Sequence, residues 1–189
     1  IFAGGHISGA HYNPAVTLGV WIRGACTTLE AGFYLVAQVL GAIVAALAAE
    51  FLLGHGSSTA ASTVTAAQVM LAEALGTFAL VYTVLNVATA SATSGNSFYG
   101  LAIGFTVFAQ AVAVGKVSGG AFNPAVAIGV AVLGLANGAN LWIYWLSEFL
   151  GAGIAAGLFL VVNQEKLREP LVASDDSAQD QTNQPVRAV

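Results

Sequence analysis

Four long apolar stretches separated by short polar segments dominate the chain, at residues 33–53, 69–90, 98–114 and 141–162. A helix that spans a bilayer needs about 20 mostly apolar residues, so each stretch predicts a membrane-spanning helix. The third stretch is short for that role. Glycine and alanine are frequent inside the stretches and let membrane helices approach closely, which predicts a tight all-α bundle.

Charged residues are few in the apolar region and concentrated at the end of the chain. The chain is 57% hydrophobic and 7% charged, with a mean hydropathy of +0.80, whereas a soluble domain is about a quarter charged. Residues 1–162 carry six charged side chains, and residues 163–189 carry the other eight. We therefore expect a membrane domain over 1–162 and a disordered tail over 163–189, which is too poor in apolar residues to fold alone.

The composition also argues against several classes of protein. A lone cysteine, Cys26, excludes an internal disulfide, and the histidines and cysteine do not have the spacing of metal ligands. There is no glycine-rich phosphate loop of the Walker type. A net charge of −4 spread over an apolar chain gives no basis for binding nucleic acid. We expect no cofactor and no catalysis, and a lipid bilayer as the surroundings.

The tetrapeptide Asn-Pro-Ala-Val occurs twice, at residues 13–16 and 123–126. When the chain is shifted by 110 residues, 16 of the 42 positions from Gly5 to Ala46 are identical. The chain therefore contains two copies of one unit. We call each of these tetrapeptides a box. Three predicted spans lie between the two boxes, and because three is an odd number the boxes enter the membrane from opposite faces. This arrangement is an inverted repeat.

Each box has the signature of a helix start, because Asn is a favoured N-cap and Pro a favoured first helical residue. The apolar stretches that follow, 15–22 and 125–133, have a length of roughly 13 Å, about half of a ~30 Å hydrocarbon core. They predict half-helices whose N-termini meet near the midplane. The alternative, that each box merely begins a packed helix, is disfavoured by two boxes in opposed repeats.

Such a meeting point favours a pore for neutral solutes. The positive ends of two half-helices repel cations, while the amides of Asn13 and Asn123 offer hydrogen-bond donors. The glycine pairs Gly4–Gly5 and Gly119–Gly120 predict non-helical backbone along the pore, which is tolerated at membrane depth where it lines a water-filled cavity.

The few basic residues predict an orientation. Arg23 precedes the first span, and Lys166 and Arg168 follow the fourth, so all three lie on one side. The positive-inside tendency makes that side, and the C-terminus, cytoplasmic. Lys116 lies on the other side, against the tendency.

These residues resemble the aquaporin family of major intrinsic proteins. Residues 5–16, Gly-His-Ile-Ser-Gly-Ala-His-Tyr-Asn-Pro-Ala-Val, are similar to the first pore loop of the family, and residues 118–125 are similar to the second. Residues 72–78 resemble the start of the fourth family helix. The resemblance implies an aquaporin-like fold in which the four spans are helices three to six, with helices one and two absent from this chain. It also implies a homotetramer with one pore per subunit.

The resemblance assigns pore residues. The boxes themselves are Asn13, Pro14, Ala15, Asn123, Pro124 and Ala125. Three members of the family's selectivity constriction correspond to Ala111, Gly120 and Val126, and the fourth would come from helix two. Strict water channels usually carry His and Arg where this chain has Ala111 and Val126, which implies a wider, less polar constriction. A Val at the last position resembles the plant vacuolar-membrane branch.

Three further polar residues belong to this implied site. By resemblance, Glu73 braces a pore loop through hydrogen bonds to the backbone, and Gln38 is another packing polar group. His11 either contributes to the cytoplasmic pore wall or packs the loop. Glu148, the repeat equivalent of Gln38, is less usual for the family, and its target is left open.

The function implied is passive transport of water and small neutral solutes, with ammonia, hydrogen peroxide and urea as additional candidates. The host membrane, plasma or vacuolar, is left open. One alternative is a truncated, transport-dead chain that acts only as an interaction partner, because one wall of the pore is absent. A membrane enzyme or an ion-coupled transporter has no supporting set of residues.

Overall fold

The computed structural model describes residues 1–56 and 64–163, and within that part the protein is all-α. The helices are α1 (Gly5–Ser8), α2 (Pro14–Ile22), α3 (Thr28–Leu53), α4 (Ala66–Ala88), α5 (Tyr99–Ser118), α6 (Pro124–Val132) and α7 (Leu141–Asn163). Single 3₁₀ turns, Ser91–Thr93 and Gly138–Asn140, precede α5 and α7. Four helices of the described part, α3, α4, α5 and α7, are long and apolar enough to cross a membrane. The all-α prediction with four spans is confirmed.

Capping explains where two of these helices begin. The Thr27 hydroxyl accepts a hydrogen bond from the Glu30 N–H, and the Glu30 carboxylate accepts one from the Thr27 N–H. This capping box satisfies N–H groups that the first turn leaves free, so α3 begins at Thr28, before the predicted start at residue 33. Thr65 and Gln68 form the same motif at the start of α4.

The third span is longer than the sequence pattern predicts. The apolar stretch 98–114 predicts a short helix, whereas α5 has 20 residues and ends at Ser118. Gly115, Lys116 and Val117 are still helical, and the helix ends only at Gly119, whose φ of +91° is left-handed. α5 is therefore long enough to span.

The expectation for the first glycine pair is wrong. Gly5 is the first residue of the short helix α1, with Gly4 as its N-cap. The last turn of α5 occupies the equivalent place in the second repeat. The non-helical run before each box instead begins one residue after Ser8 and Ser118, at Gly9 and Gly119.

α4 and α7 form the centre of the bundle. A Cβ on Gly151 of α7 would collide with the carbonyl oxygen of Ala74 in α4, so the two backbones are in contact at this point. The half-helix α2 packs against α7, α3 and α4, the half-helix α6 packs against α3 and α7, and α5 packs on α4. The core they enclose consists mainly of small and branched side chains with two large rings, including Val20, Leu80, Val81, Leu85, Phe122 and Phe159.

Two sets of contacts fix the direction of the half-helices. The Arg23 guanidinium, just after α2, donates to the Thr89 carbonyl at 2.9 Å and lies 5.5 Å from the centre of the Phe159 ring. The C-terminal ends of α2, α4 and α7 therefore lie together. On the other side of the bundle, Gly56 N–H donates to the Leu133 carbonyl at 2.8 Å and ties the loop after α3 to the end of α6. The half-helices thus enter from opposite sides, with their N-termini inside.

α7 continues to Asn163, and the domain boundary at 162/163 stays a prediction. The predicted tail from residue 164 onward lies outside the described residues.

Candidate functional site

Both boxes begin their half-helices through the same side-chain bonds. Asn13 Oδ1 accepts hydrogen bonds from Ala15 N–H at 2.8 Å and Val16 N–H at 3.4 Å. In the second box, Asn123 Oδ1 accepts from the N–H groups of the equivalent residues at 3.0 and 3.4 Å. Both asparagines have extended backbone, with φ of −157° and −160°, and both prolines occupy the first helical position. The side-chain oxygen is used as an N-cap, so the NH₂ group is free to point elsewhere.

The NH₂ group of each asparagine donates a hydrogen bond to the residue that precedes the other box. Asn13 Nδ2 donates to the carbonyl of Phe122 at 2.8 Å. Asn123 Nδ2 donates to the carbonyl of Tyr12 at 2.9 Å. Each acceptor is the residue that immediately precedes the other box. The pair of bonds fixes both amides and joins the N-termini of the two half-helices, and each amide keeps a second N–H that these bonds do not use.

The crossing requires an uncommon backbone conformation at the two acceptors. Tyr12 has φ +48° and Phe122 has φ +46°, in the left-handed region that residues with a Cβ rarely adopt. Such a conformation costs about 1–2 kcal/mol per residue. At Phe122 this conformation is held by the hydrogen bonds of its N–H to Glu73 and of its carbonyl to Asn13, and at Tyr12 by the bond of its carbonyl to Asn123.

Glu73 holds the second loop from behind. This residue of α4 is fully buried, and its two carboxylate oxygens accept hydrogen bonds from Ala121 N–H at 3.0 Å and Phe122 N–H at 2.6 Å. The ring of Phe122 lies against Gly76, one turn along α4, where a Cβ would collide with it. α4 therefore determines the position of the residue whose carbonyl receives Asn13.

The target of Glu148 is the second box. This residue of α7 is also fully buried, and its Oε1 accepts a hydrogen bond from the N–H of Asn123 at 2.9 Å. Together the two acids bind the N–H groups of three consecutive residues, Ala121, Phe122 and Asn123.

A hydroxyl group organises the first box. Thr17 Oγ1 donates to the Asn13 carbonyl at 3.1 Å and accepts from Gln38 Nε2 at 2.9 Å. His11 Nδ1 lies 3.2 Å from the same oxygen. Because a hydroxyl has one hydrogen and two lone pairs, the arrangement is satisfied when His11 Nδ1 carries the proton and donates it to Thr17. This assigns the Nδ1–H tautomer and leaves Nε2 as an acceptor.

The His11 ring is partly enclosed. It packs edge-on against the Tyr34 ring, with centroids 4.9 Å apart. Burial lowers the pKa of His11 below its usual value, and the charge of Glu30 opposes this in part. The neutral imidazole is therefore the favoured form.

The three candidate constriction residues lie on separate elements. Val126 is in the first turn of α6 with 43% of its surface exposed, and Gly120 is in the loop before the box with φ +67°. Ala111 is an exposed residue of α5, a helix that does not pack against α6 within the described residues.

Sequence reasoning missed the backbone acceptors and the Thr17 hydroxyl. Tyr12 and Phe122 act through their carbonyl groups, which side-chain identity does not reveal. The available signal was their equivalence in the repeat, since both directly precede an Asn. Thr17 was recognisable as the residue four positions after Asn13, where a hydroxyl reaches back to a helical carbonyl.

Comparison with known proteins agrees with this geometry. The family model "Major intrinsic protein" matches residues 1–159. Probable aquaporin TIP2-2 of Oryza sativa subsp. japonica is 39% identical over 176 residues, covering 91% of this chain and 70% of that protein. Aquaporin TIP1-1 of Arabidopsis thaliana is 39% identical over 181 residues, covering 93% of this chain and 71% of that protein.

A solved structure shares the fold. The aquaglyceroporin from Plasmodium falciparum superposes with a TM-score of 0.72 at 19% identity, covering 84% of this chain and 74% of that one. The matches to the family and to the plant TIP aquaporins confirm the resemblance seen in the sequence. The chain therefore belongs to the major intrinsic protein family, which includes the aquaporins, and is an integral, multi-pass membrane protein of the channel type.

Proposed function

We propose that this protein is a passive channel for water and small neutral solutes, with its pore at the meeting point of α2 and α6. The observation that carries the proposal is the crossed pair of hydrogen bonds from Asn13 to Phe122 and from Asn123 to Tyr12. These bonds leave one N–H of each amide to donate to a passing molecule. A neutral solute that accepts hydrogen bonds is stabilised there without any change in the protein.

The same arrangement opposes cations. The N-terminus of each half-helix carries about half an elementary positive charge. Two such ends that face a narrow passage raise an electrostatic barrier to hydronium and metal ions. Asn13, Pro14, Ala15 and their equivalents Asn123, Pro124 and Ala125 are the residues of this barrier in the proposal.

The constriction is proposed to consist of Ala111, Gly120 and Val126. All three side chains are small or apolar, so the constriction excludes solutes by size more than by charge. Water remains the main solute, and ammonia, hydrogen peroxide and urea fit as additional ones. The relatives named aquaporin TIP2-2 and TIP1-1 support water transport.

Glu73, Gln38 and His11 are proposed to support the pore from behind. Glu73 accepts N–H groups of the second loop, whereas Gln38 and His11 act on the first box through Thr17. In this role they keep the amides and carbonyls aligned and do not bind solute themselves, although His11 also borders the pore wall.

The proposal extends to topology and assembly. The side that holds Arg23 is cytoplasmic by the positive-inside tendency, which places the C-terminus and a tail over 163–189 in the cytoplasm. A channel domain over 1–162 assembles as a homotetramer with one pore per subunit. The TIP relatives favour the vacuolar over the plasma membrane as host.

The test is water transport by the purified protein in liposomes, measured as the rate of osmotic shrinkage by stopped-flow light scattering. We expect faster shrinkage than in empty liposomes, without a rise in proton or potassium leak. Protein that inserts normally but leaves shrinkage unchanged would refute the channel and support the alternative, a non-conducting interaction partner. A large ion leak would refute the proposed barrier.

A further inference from the structure

Glu148 has one hydrogen-bonding oxygen that the pore loop does not use. Its Oε1 accepts from Asn123 N–H at 2.9 Å. Its Oε2 is fully enclosed and meets no N–H or O–H donor among the described residues. The neighbouring side chain is the carboxyl of Glu73, a second buried acid that binds the N–H groups of the two preceding residues, Ala121 and Phe122.

Glu73 already uses both oxygens as acceptors. Each oxygen binds one backbone N–H of the second loop, so both positions act as hydrogen-bond acceptors. Two ionised carboxylates in contact in a buried site repel each other strongly, and such pairs hold a proton between them. The free Oε2 of Glu148 is the position where that proton satisfies both groups.

We propose that Glu148 is a neutral, protonated positioning residue that donates its proton from Oε2 to Glu73. The two side chains then clamp three consecutive backbone N–H groups ahead of α6 as one unit with a single negative charge. This inference deepens the proposed function, because the clamped segment is the second pore loop.

The first repeat supports a neutral group at this position. Gln38 is the equivalent of Glu148, and its Nε2 donates to Thr17 Oγ1 at 2.9 Å. In the proposal, this position thus carries a neutral side chain with both a donor and an acceptor in both repeats: an amide in the first, and a carboxylic acid in the second. The neutral acid also matters for selectivity. It leaves one carboxylate, instead of two, to offset the positive N-terminus of α6 that opposes cations.

The decisive comparison is between two isosteric substitutions. In Glu148→Gln, the amide oxygen still accepts from Asn123 N–H and the NH₂ still donates to Glu73, so we expect water permeability and melting temperature close to those of the unchanged protein. In Glu73→Gln, the new NH₂ group faces a backbone N–H and cannot accept its hydrogen bond. We expect water permeability to fall by roughly tenfold or more, because this buried N–H loses its partner. Glu148→Met matches the volume without donor or acceptor and should fail where Gln succeeds.

Infrared spectroscopy supplies a reading that does not depend on transport. The unchanged protein should show the carbonyl stretch of a buried protonated carboxylic acid, and Glu148→Gln should lack it. A band that persists in Glu148→Gln would overturn the proposal. So would a Glu148→Gln protein that loses stability as much as Glu148→Met, since that result would indicate an ionised Glu148.

Two readouts separate this inference from the proposed function. If the unchanged protein conducts no water, the channel proposal fails. The melting temperatures of Glu148→Gln and Glu148→Met still show whether Glu148 is a neutral partner of Glu73. If Glu73→Gln does not fold, the infrared comparison of the unchanged protein with Glu148→Gln decides it.

Discussion

The side-chain amide of Asn13 donates a 2.8 Å hydrogen bond to the main-chain carbonyl of Phe122, 109 residues away in the chain. Phe122 is held in turn by Glu73 through its N–H group and by Gly76 through its ring. The first half-helix is therefore aligned by a loop that α4 positions. A change on either side of this bond should disturb both boxes.

Replacing Asn13 by Asp tests the crossed bond directly. An aspartate keeps the oxygen that caps α2 but presents a second oxygen to the Phe122 carbonyl, so the bond is lost and two acceptors face each other. We expect the free energy of unfolding to fall by about 1–3 kcal/mol, together with a clear loss of water permeability. Thermal unfolding in detergent and osmotic shrinkage of liposomes measure the two effects.

Asn137→Asp is the matched control. Asn137 is an exposed N-cap whose Oδ1 accepts from Ala139 N–H at 2.9 Å, a bond that Asp retains. We expect this variant to behave like the unchanged protein. If Asn13→Asp proves equally harmless, the crossed bond does not organise the pore.

Adding a methyl group at Gly76 tests the contact with Phe122. The new Cβ would collide with the Phe122 ring, and overpacking of this kind typically costs about 1–3 kcal/mol. Because Phe122 carries the carbonyl that binds Asn13, we also expect water permeability to fall. Gly104→Ala in α5 is the control, since no atom lies within 4 Å of a Cβ built there. A Gly76→Ala protein as stable and as permeable as Gly104→Ala would contradict the role given to this contact.

An arginine at Val126 should narrow the range of solutes. Val126 is exposed in the first turn of α6, so a long cationic side chain reaches into the proposed constriction. We expect uptake of urea and hydrogen peroxide to fall more than that of water. Val126→Leu, which adds bulk without charge, separates size from charge. Unchanged urea and peroxide uptake in Val126→Arg would place the constriction elsewhere.

The partly buried imidazole of His11 predicts a dependence of stability on pH. Burial lowers the pKa of His11 in the folded protein, whereas an unfolded chain binds the proton near pH 6.5. The contribution to stability is therefore complete above that pH and is lost as the pH falls toward the folded pKa. Melting temperatures over a series of acidic pH values measure it.

His11→Asn should flatten this dependence, because the amide can donate to Thr17 but does not titrate. His6→Asn, at an exposed position of α1, should keep the slope of the unchanged protein. An unaltered slope in His11→Asn would show that another group is responsible.

The sequence by itself determined the features that depend on short-range pattern. Apolar length predicts the four spans, and the Asn-Pro pairs predict the starts of α2 and α6, because a cap bonds N–H groups only two or three residues away. The offset of 110 residues predicts two equivalent units, and positive φ values at Tyr12 and Phe122 follow that offset. The helix boundaries were predicted less accurately. α3 starts earlier and α5 ends later than hydropathy indicates, because an N-cap begins the first helix and a left-handed glycine ends the second, whereas hydropathy reports only where polarity changes.

Only the tertiary structure decided which groups meet. The partner of Asn13 is a carbonyl in the other repeat, and a main-chain acceptor leaves no trace in side-chain identity. Glu148 had no partner assigned from the sequence. The packing of α7 places its carboxyl on Asn123 N–H, next to the two N–H groups that Glu73 binds. The physical reason is that a hydrogen bond needs atoms about 3 Å apart, and for residues far apart in the chain that distance is set by how the helices pack.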